Sequence, residues 1–565
     1  MARFSSSLGS ESGSFSLSLS LFFSTLSSRG EGLTAEMKVA LLSSLAAFAV
    51  VPGLCGFSVH ESDNPHVLQL GMRRNHVNNP VSKDRRRFKR QSGETVDVDL
   101  YGYSLYSTNL TVGDPPQRVE VSVDTGSSDL WVVYTYNEIC GAVNAMCDSL
   151  GTYDPEESDT SEPLSDQFQI QYGDMSWATG YYAIDTLSIA GAEVPQVQFG
   201  VAIDSSIDKG ILGIGYPTNV VSREIYPNLP YLLSRDNITN SNAYSLWLNR
   251  LGEDEGNILF GGVNTAHYTG DLQTVPIVPY SGSYVHLWIT LTGLSVESVQ
   301  DDVNKDYEHP EFPVVVLLDS GATISYLPAD IVAQLYSDLD VHFYQDEQFG
   351  LVPCDTYLDG REDYNVTFSF SGVEIRVPLS ELVLQDALYY NGDYLHIDDE
   401  ESCIFGIAPS VDFFPILGDS FLRSAYAVFD LENNEISLAQ ANFSPGDDHI
   451  LEIGDGDDSV PGATPVENPV TTATVVLTGS SLVLPTDFTN EPIFPSRTPS
   501  ASQTVEASTT SGNGPSRPSD SADDDTTSGA SGTAANPEES GLAAATRLNP
   551  LLYAGVAGVG LLLGL

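Results

Sequence analysis

Twice in this chain a carboxylate stands at the end of an apolar strand. In "RVEVSVDTGSSDLWVV", residues 118–133, Val119, Val121 and Val123 alternate with Glu120 and Ser122 as in a half-buried strand. Asp124 then opens the turn Thr125-Gly126-Ser127-Ser128 before the chain becomes apolar again. In "FPVVVLLDSGATISYLP", residues 312–328, an apolar run reaches Asp319 and turns through Ser320-Gly321-Ala322-Thr323. Either turn alone is ordinary chemistry, an Asp capping nearby N–H groups. Each, however, is followed about ninety to a hundred residues later by an apolar-apolar-Gly segment, Ile211-Leu212-Gly213 and Ile416-Leu417-Gly418. Such a repeat predicts a mainly β, bilobal chain whose pseudo-two-fold brings both Asp turns to one central cleft.

Two carboxylates at close range do not both ionise readily, so they share one proton and offer an acid and a base at once. That combination suits peptide hydrolysis. The base activates a water that attacks the scissile carbonyl, while the acid protonates its oxygen and later the leaving nitrogen. The sequence holds no His-Glu-x-x-His, no Gly-x-Ser-x-Gly and no free Cys set to partner a His, so no metal or cofactor is expected.

Over residues 101–441 the chain resembles the pepsin-like aspartic endopeptidases. "DTGSSDLW" and "LLDSGATISYLP" are similar to the two active-site motifs of that family, and "QYGDMSWATGYYAIDTL" to its flap hairpin. "GNILFGGVNTAHYTGDL" and "ILGDSFLRSAYAVFDLENNEISLA" resemble later landmarks of its C-terminal lobe. Among the branches, the fungal membrane-anchored yapsins look most similar. The resemblance implies Asp124 and Asp319 as the catalytic pair, Thr125 and Ser320 as cross-braces, and Ser127 as a donor to Asp124. It further implies that Tyr172 closes over the substrate with its hydroxyl held by the Trp131 indole. One position departs from the pattern: Ala322 stands where the family usually has a Thr or Ser, so the second turn offers one hydroxyl fewer. Asp174, two residues beyond Tyr172, would hang over the cleft and meet a Lys or Arg of the substrate; the yapsin resemblance implies acceptance of basic residues there.

Five cysteines favour an oxidising compartment. Cys55 falls within a presumed signal, and the remaining four permit three pairings. The resemblance implies one small loop per lobe, Cys140 with Cys147 and Cys354 with Cys403. Sequons at Asn109, Asn237, Asn365 and Asn442 are candidates for N-glycosylation.

The formal net charge is −54, and 71 of the 77 acidic residues lie beyond residue 90, against 12 of the 23 basic ones. A body so acidic argues against nucleic-acid binding, which relies on Lys and Arg, and fits an acidic medium where self-repulsion falls. Residues 37–56, with Lys38 before "VALLSSLAAFAVVPGLCG", read as a secretory signal, which leaves 1–36 as an extension upstream of the true start. Residues 57–90 form a basic prosegment ending in Lys89-Arg90, a site for a dibasic-specific processing protease, so that the mature chain begins near Gln91.

The protease body is expected at 91–443, with lobes at about 91–275 and 276–443. Residues 444–540, rich in Ser, Thr, Pro, Asp and Gly, read as a disordered stalk unable to bury a core. The apolar end at 541–565 reads as a signal for a GPI lipid anchor, attached near Ser531 or Gly532. The expectation is thus a monomeric, cell-surface aspartic endopeptidase acting on protein or peptide substrates. An inactive pepsin-like binding module and a wall mannoprotein are the alternatives.

Overall fold

The structure, a computed structural model, describes residues 66–74, 106–142, 145–173, 176–253, 255–310, 312–344, 348–384, 389–390, 393–394, 396–397, 399–410, 414–471, 473–477 and 480–483. The signal, residues 1–36, Lys89-Arg90, Asp174, Ser531, Gly532 and the apolar tail lie outside them. No helix among the described residues is long and apolar enough to cross a membrane.

The first lobe is built from β1 (Leu68–Arg74), β2 (Tyr106–Val112), β3 (Gln117–Asp124), β4 (Leu130–Val133), β5 (Glu162–Gln171), β6 (Trp177–Ile189), β7 (Ala192–Ser205) and β8 (Gly210–Gly213). All eight belong to one fourteen-stranded sheet that continues through Glu255–Phe260, Ala243–Trp247, Ala425–Asp430, Glu435–Ala441 and Tyr268–Pro276 into the second half of the chain. β1, the described part of the expected prosegment, is an interior strand paired with β2 on one side and Glu255–Phe260 on the other, with Leu70 and Met72 buried.

The repeat read from the sequence reaches down to strand register. β3 runs parallel to β8, setting Val123 beside Leu212 and Asp124 beside Gly213. β8 pairs antiparallel with β4, and β4 runs parallel to β7. In the second half Val314–Leu318 runs parallel to Ile416–Leu417, which pairs antiparallel with Ser325–Pro328. Ser325–Pro328 in turn runs parallel to Ile407–Ser410. Strands covered on both faces need continuous apolar runs, and β4, β8 and Val314–Leu318 are buried at every position. Each fully buried large apolar side chain contributes roughly 1.5–3 kcal/mol. The glycine of each apolar-apolar-Gly segment has a steric cause. A Cβ at Gly213 would lie 2.6 Å from the Ser128 nitrogen, and one at Gly418 would lie 2.4 Å from the Ala322 oxygen, so only glycine lets the Asp turn pass.

One boundary differs from expectation. The chain stays folded past residue 443: Ile450–Glu452 pairs with Gly262–Asn264, Ala463–Pro465 with Tyr268–Pro276, and Thr474 with Val314. Ile453 and Val460 are buried in a cluster with Trp247, Val263 and Val428. Averaged composition hid this, because a few apolar residues spread through a polar segment each complete a core that already exists.

Candidate active site

Each Asp turn is held first by its own backbone. The Gly126 N–H donates to Asp124 Oδ1 and the Gly321 N–H to Asp319 Oδ1, both at 2.8 Å. Ser127 Oγ adds a hydrogen bond to Asp124 Oδ2 at 2.5 Å.

The turns are then locked to each other. Thr125 Oγ1 donates to the Leu318 carbonyl at 2.9 Å and accepts from the Ser320 N–H at 2.9 Å. Ser320 Oγ donates to the Val123 carbonyl at 2.9 Å and accepts from the Thr125 N–H at 3.1 Å. All four groups are buried, where an unpaired partner would be costly. The two glycines gauge how close the carboxylates come. A Cβ on Gly126, in the first turn, would sit 2.6 Å from Asp319 Oδ1, and one on Gly321, in the second, 2.5 Å from Asp124 Oδ1. The two aspartates therefore face one point from opposite lobes.

Above the first turn, the Trp131 indole N–H donates to the Tyr172 hydroxyl at 2.8 Å. Burial, then the Asp124 charge, push the Tyr172 phenol well above its ordinary pKa, so it stays a neutral hydroxyl. Ala322 is buried and presents no hydroxyl to the second turn. Asp174 lies outside the described residues, so its place over the cleft stays an expectation.

The disulfides form as the resemblance implies, Cys140–Cys147 in the first half and Cys354–Cys403 in the second. Of the sequons, Asn237 is exposed, while Asn109 is half-buried on β2. Asn365 Nδ2 donates to the Asp363 carbonyl and Asn442 Nδ2 to the Ala266 carbonyl. Among the described residues no group of three His, Cys, Asp or Glu is placed to hold a metal ion.

One residue of the site was given no role in the sequence. Asp129 follows the first turn inside "DTGSSDLW" and is fully buried. Its only sequence signal is an acidic residue directly before the apolar run Leu130-Trp131-Val132-Val133.

Comparison with known proteins agrees with this geometry. The family model described as eukaryotic aspartyl protease matches residues 105–441. The chain is 44% identical over 464 residues to a protein of Aspergillus oryzae named probable aspartic-type endopeptidase opsB, covering 81% of this chain and 93% of that one. It is 41% identical over 425 residues to the OPSB protein of Arthroderma benhamiae, covering 74% and 85%. Secreted aspartic protease 8 of Candida albicans is 38% identical over 362 residues, 63% of this chain and 80% of that one. With a match over more than half its length and two Asp turns braced face to face, the chain belongs to the pepsin-like eukaryotic aspartyl proteases and is an aspartic-type endopeptidase.

Proposed function

We propose that Asp124 and Asp319 are the catalytic pair of a secreted, cell-surface endopeptidase working in acid. The observation that carries this reading is the mutual approach of the turns, Gly126 against Asp319 and Gly321 against Asp124. One carboxylate takes a proton from water as the water oxygen bonds to the scissile carbonyl carbon; the other gives its proton to the carbonyl oxygen. In the diol that results, one hydroxyl returns a proton to the emptied carboxylate. The protonated carboxylate then delivers its own to the nitrogen as the C–N bond breaks. The pair ends as it began, with one proton. Ser127 orients Asp124, and Tyr172 closes over the bound peptide from its hydrogen bond to Trp131.

Asp124→Asn and Asp319→Asn each keep the shape and remove one proton partner, so both should fold, secrete and lose casein hydrolysis that a statine-type inhibitor blocks in the parent. Appreciable turnover in either variant overturns the assignment.

Secretion is supported by the signal-like residues 37–56, by the two disulfides and by the name of the Candida relative. Maturation after Arg90, glycosylation at the four sequons and a GPI anchor near Ser531 or Gly532 complete the reading. N-terminal sequencing should then begin at or near Gln91, and a phosphatidylinositol-specific phospholipase should release the protein from membranes. Retention with Leu565 still present by mass spectrometry would exclude the anchor. Preference for Lys or Arg next to the scissile bond, read by Asp174, is the finest part of the proposal.

A further inference from the structure

Asp129 gathers three parts of the first lobe on one carboxylate. Oδ1 accepts from the Tyr182 and Tyr226 hydroxyls, both at 2.8 Å, and Oδ2 accepts from the Val221 N–H at 2.8 Å. Tyr182 stands on β6, the outgoing strand of the flap hairpin. Val221 and Tyr226 are the two ends of a loop whose middle residues, Arg223 to Ile225, are exposed. Asp129 itself lies two residues before Trp131, the residue that holds the flap tyrosine.

The same side chains close a ring. Trp131 packs on Phe168 at 6.4 Å between ring centroids, Phe168 stands edge-on to Tyr182 at 5.4 Å, and Tyr182 edge-on to Tyr226 at 5.6 Å. Tyr172 packs against this cluster. From Tyr172 the contacts run through Trp131, Phe168 and Tyr182 to Asp129, and the backbone from 129 to 131 returns to the start.

A buried carboxylate is an expensive way to fill space, since an apolar residue of similar size does so without desolvation cost. What Asp129 adds is direction, three donors converging on two oxygens. We propose that Asp129 is a positioning residue that fixes the floor beneath the flap, and so the height at which Tyr172 meets a bound peptide. This rests on Tyr172 being the closing tyrosine of the proposed function. The titratable groups around Asp129 are Tyr182, Tyr226 and, behind them, Tyr172, with Asp124 in its own turn. Burial outweighs the three donors and pushes its carboxyl up to about 6. In acid the carboxyl carries one hydrogen of its own, which joins the same cluster as a donor to a phenol oxygen while the other two donors still converge on it.

The test uses Asp129→Leu and Asp129→Asn in the full protein, with competent sites counted by inhibitor titration. Asn satisfies the ring by accepting from Val221 N–H and donating to the two phenols, whose hydroxyls rotate. Leu cannot. Asp129→Leu should raise KM for a peptide substrate about tenfold, with kcat per competent site changed less than about threefold. The Kd of a statine peptide by calorimetry should weaken by the same factor, and Asp129→Asn should recover most of both. If Asp129→Leu does not fold, Tyr182→Phe with Tyr226→Phe removes the two Oδ1 donors without opening a cavity and should raise KM and Kd about threefold. Fewer competent sites with unchanged KM and Kd would make Asp129 a purely structural residue and overturn the proposal. Because the Kd is read without turnover, failure of the Asp124–Asp319 assignment would show separately, as hydrolysis retained in Asp124→Asn or Asp319→Asn.

Discussion

Thr125 and Ser320 each accept the other's backbone N–H on a side-chain oxygen and each send a hydroxyl hydrogen to a carbonyl of the opposite lobe. The separation of the two aspartates is therefore set by two small polar side chains, not by apolar packing, which tolerates sliding.

Thr125→Val keeps the shape and deletes two of these bonds, leaving the Ser320 N–H and the Leu318 carbonyl unpaired in a buried place. The loss should be about 3 kcal/mol of stability in urea denaturation. A slight shift of one aspartate should also lower kcat/KM roughly 10- to 100-fold. Stability falling with kcat/KM preserved would mean that the carboxylates are held from elsewhere.

Ala322 should extend activity toward milder acidity than in a Thr-bearing relative, because a donor to the ionised pair favours that form. Ala322→Thr restores the hydroxyl and should move the alkaline limb of the kcat/KM profile to lower pH. A limb that does not move shows that other groups set it.

Two buried carboxyls should withdraw stability as the medium approaches neutrality, against the opposite pull of His267 and His286, whose pKa burial lowers to about 4 and about 3. Burial pushes Asp430 up to about 6; burial, with the charges of Asp430, Asp458 and Asp457, pushes Glu435 up to about 7. Both groups hold their protons more tightly in the folded chain than in the unfolded one. Their contribution is therefore complete below about pH 4 and lost as pH rises to about 7. Asp430, fully buried, accounts for about 3 kcal/mol of that change. In thermal unfolding, Asp430→Asn should lose less Tm than the parent, or gain more, between about pH 4 and about pH 7. The same dependence of Tm on pH in parent and variant would contradict the assignment.

Asp174→Ser should slow cleavage of peptides with Lys or Arg next to the scissile bond, several-fold in kcat/KM, and leave Leu or Phe peptides nearly unchanged. A parallel loss in both classes would assign Asp174 to the shape of the flap.

What could be read from the sequence was what is local. Asp124, Asp319 and their hydroxyl partners sit in two short windows, and the apolar-apolar-Gly segments follow at matching distances, so the pseudo-symmetry was visible as a pattern. Asp129 was not, because its partners stand 53, 92 and 97 residues away and only the fold brings them together. The same holds for Arg423, fully buried and bonded to Glu381, 42 residues away in the chain. The segment after residue 443 misled for the opposite reason: its mean composition is that of a stalk, while Ile453 and Val460 individually fill a hydrophobic floor.

That segment also sets an order of events. Synthesis runs from the amino end, so both Asp turns and both apolar-apolar-Gly strands leave the ribosome before Ile450–Glu452, Ala463–Pro465 and Thr474–Leu477 exist. Until those arrive, Val314–Leu318, the strand that delivers Asp319, lacks the neighbour that Thr474 provides. Among the described residues, the last strands to be made thus complete the sheet beside the strand that delivers Asp319.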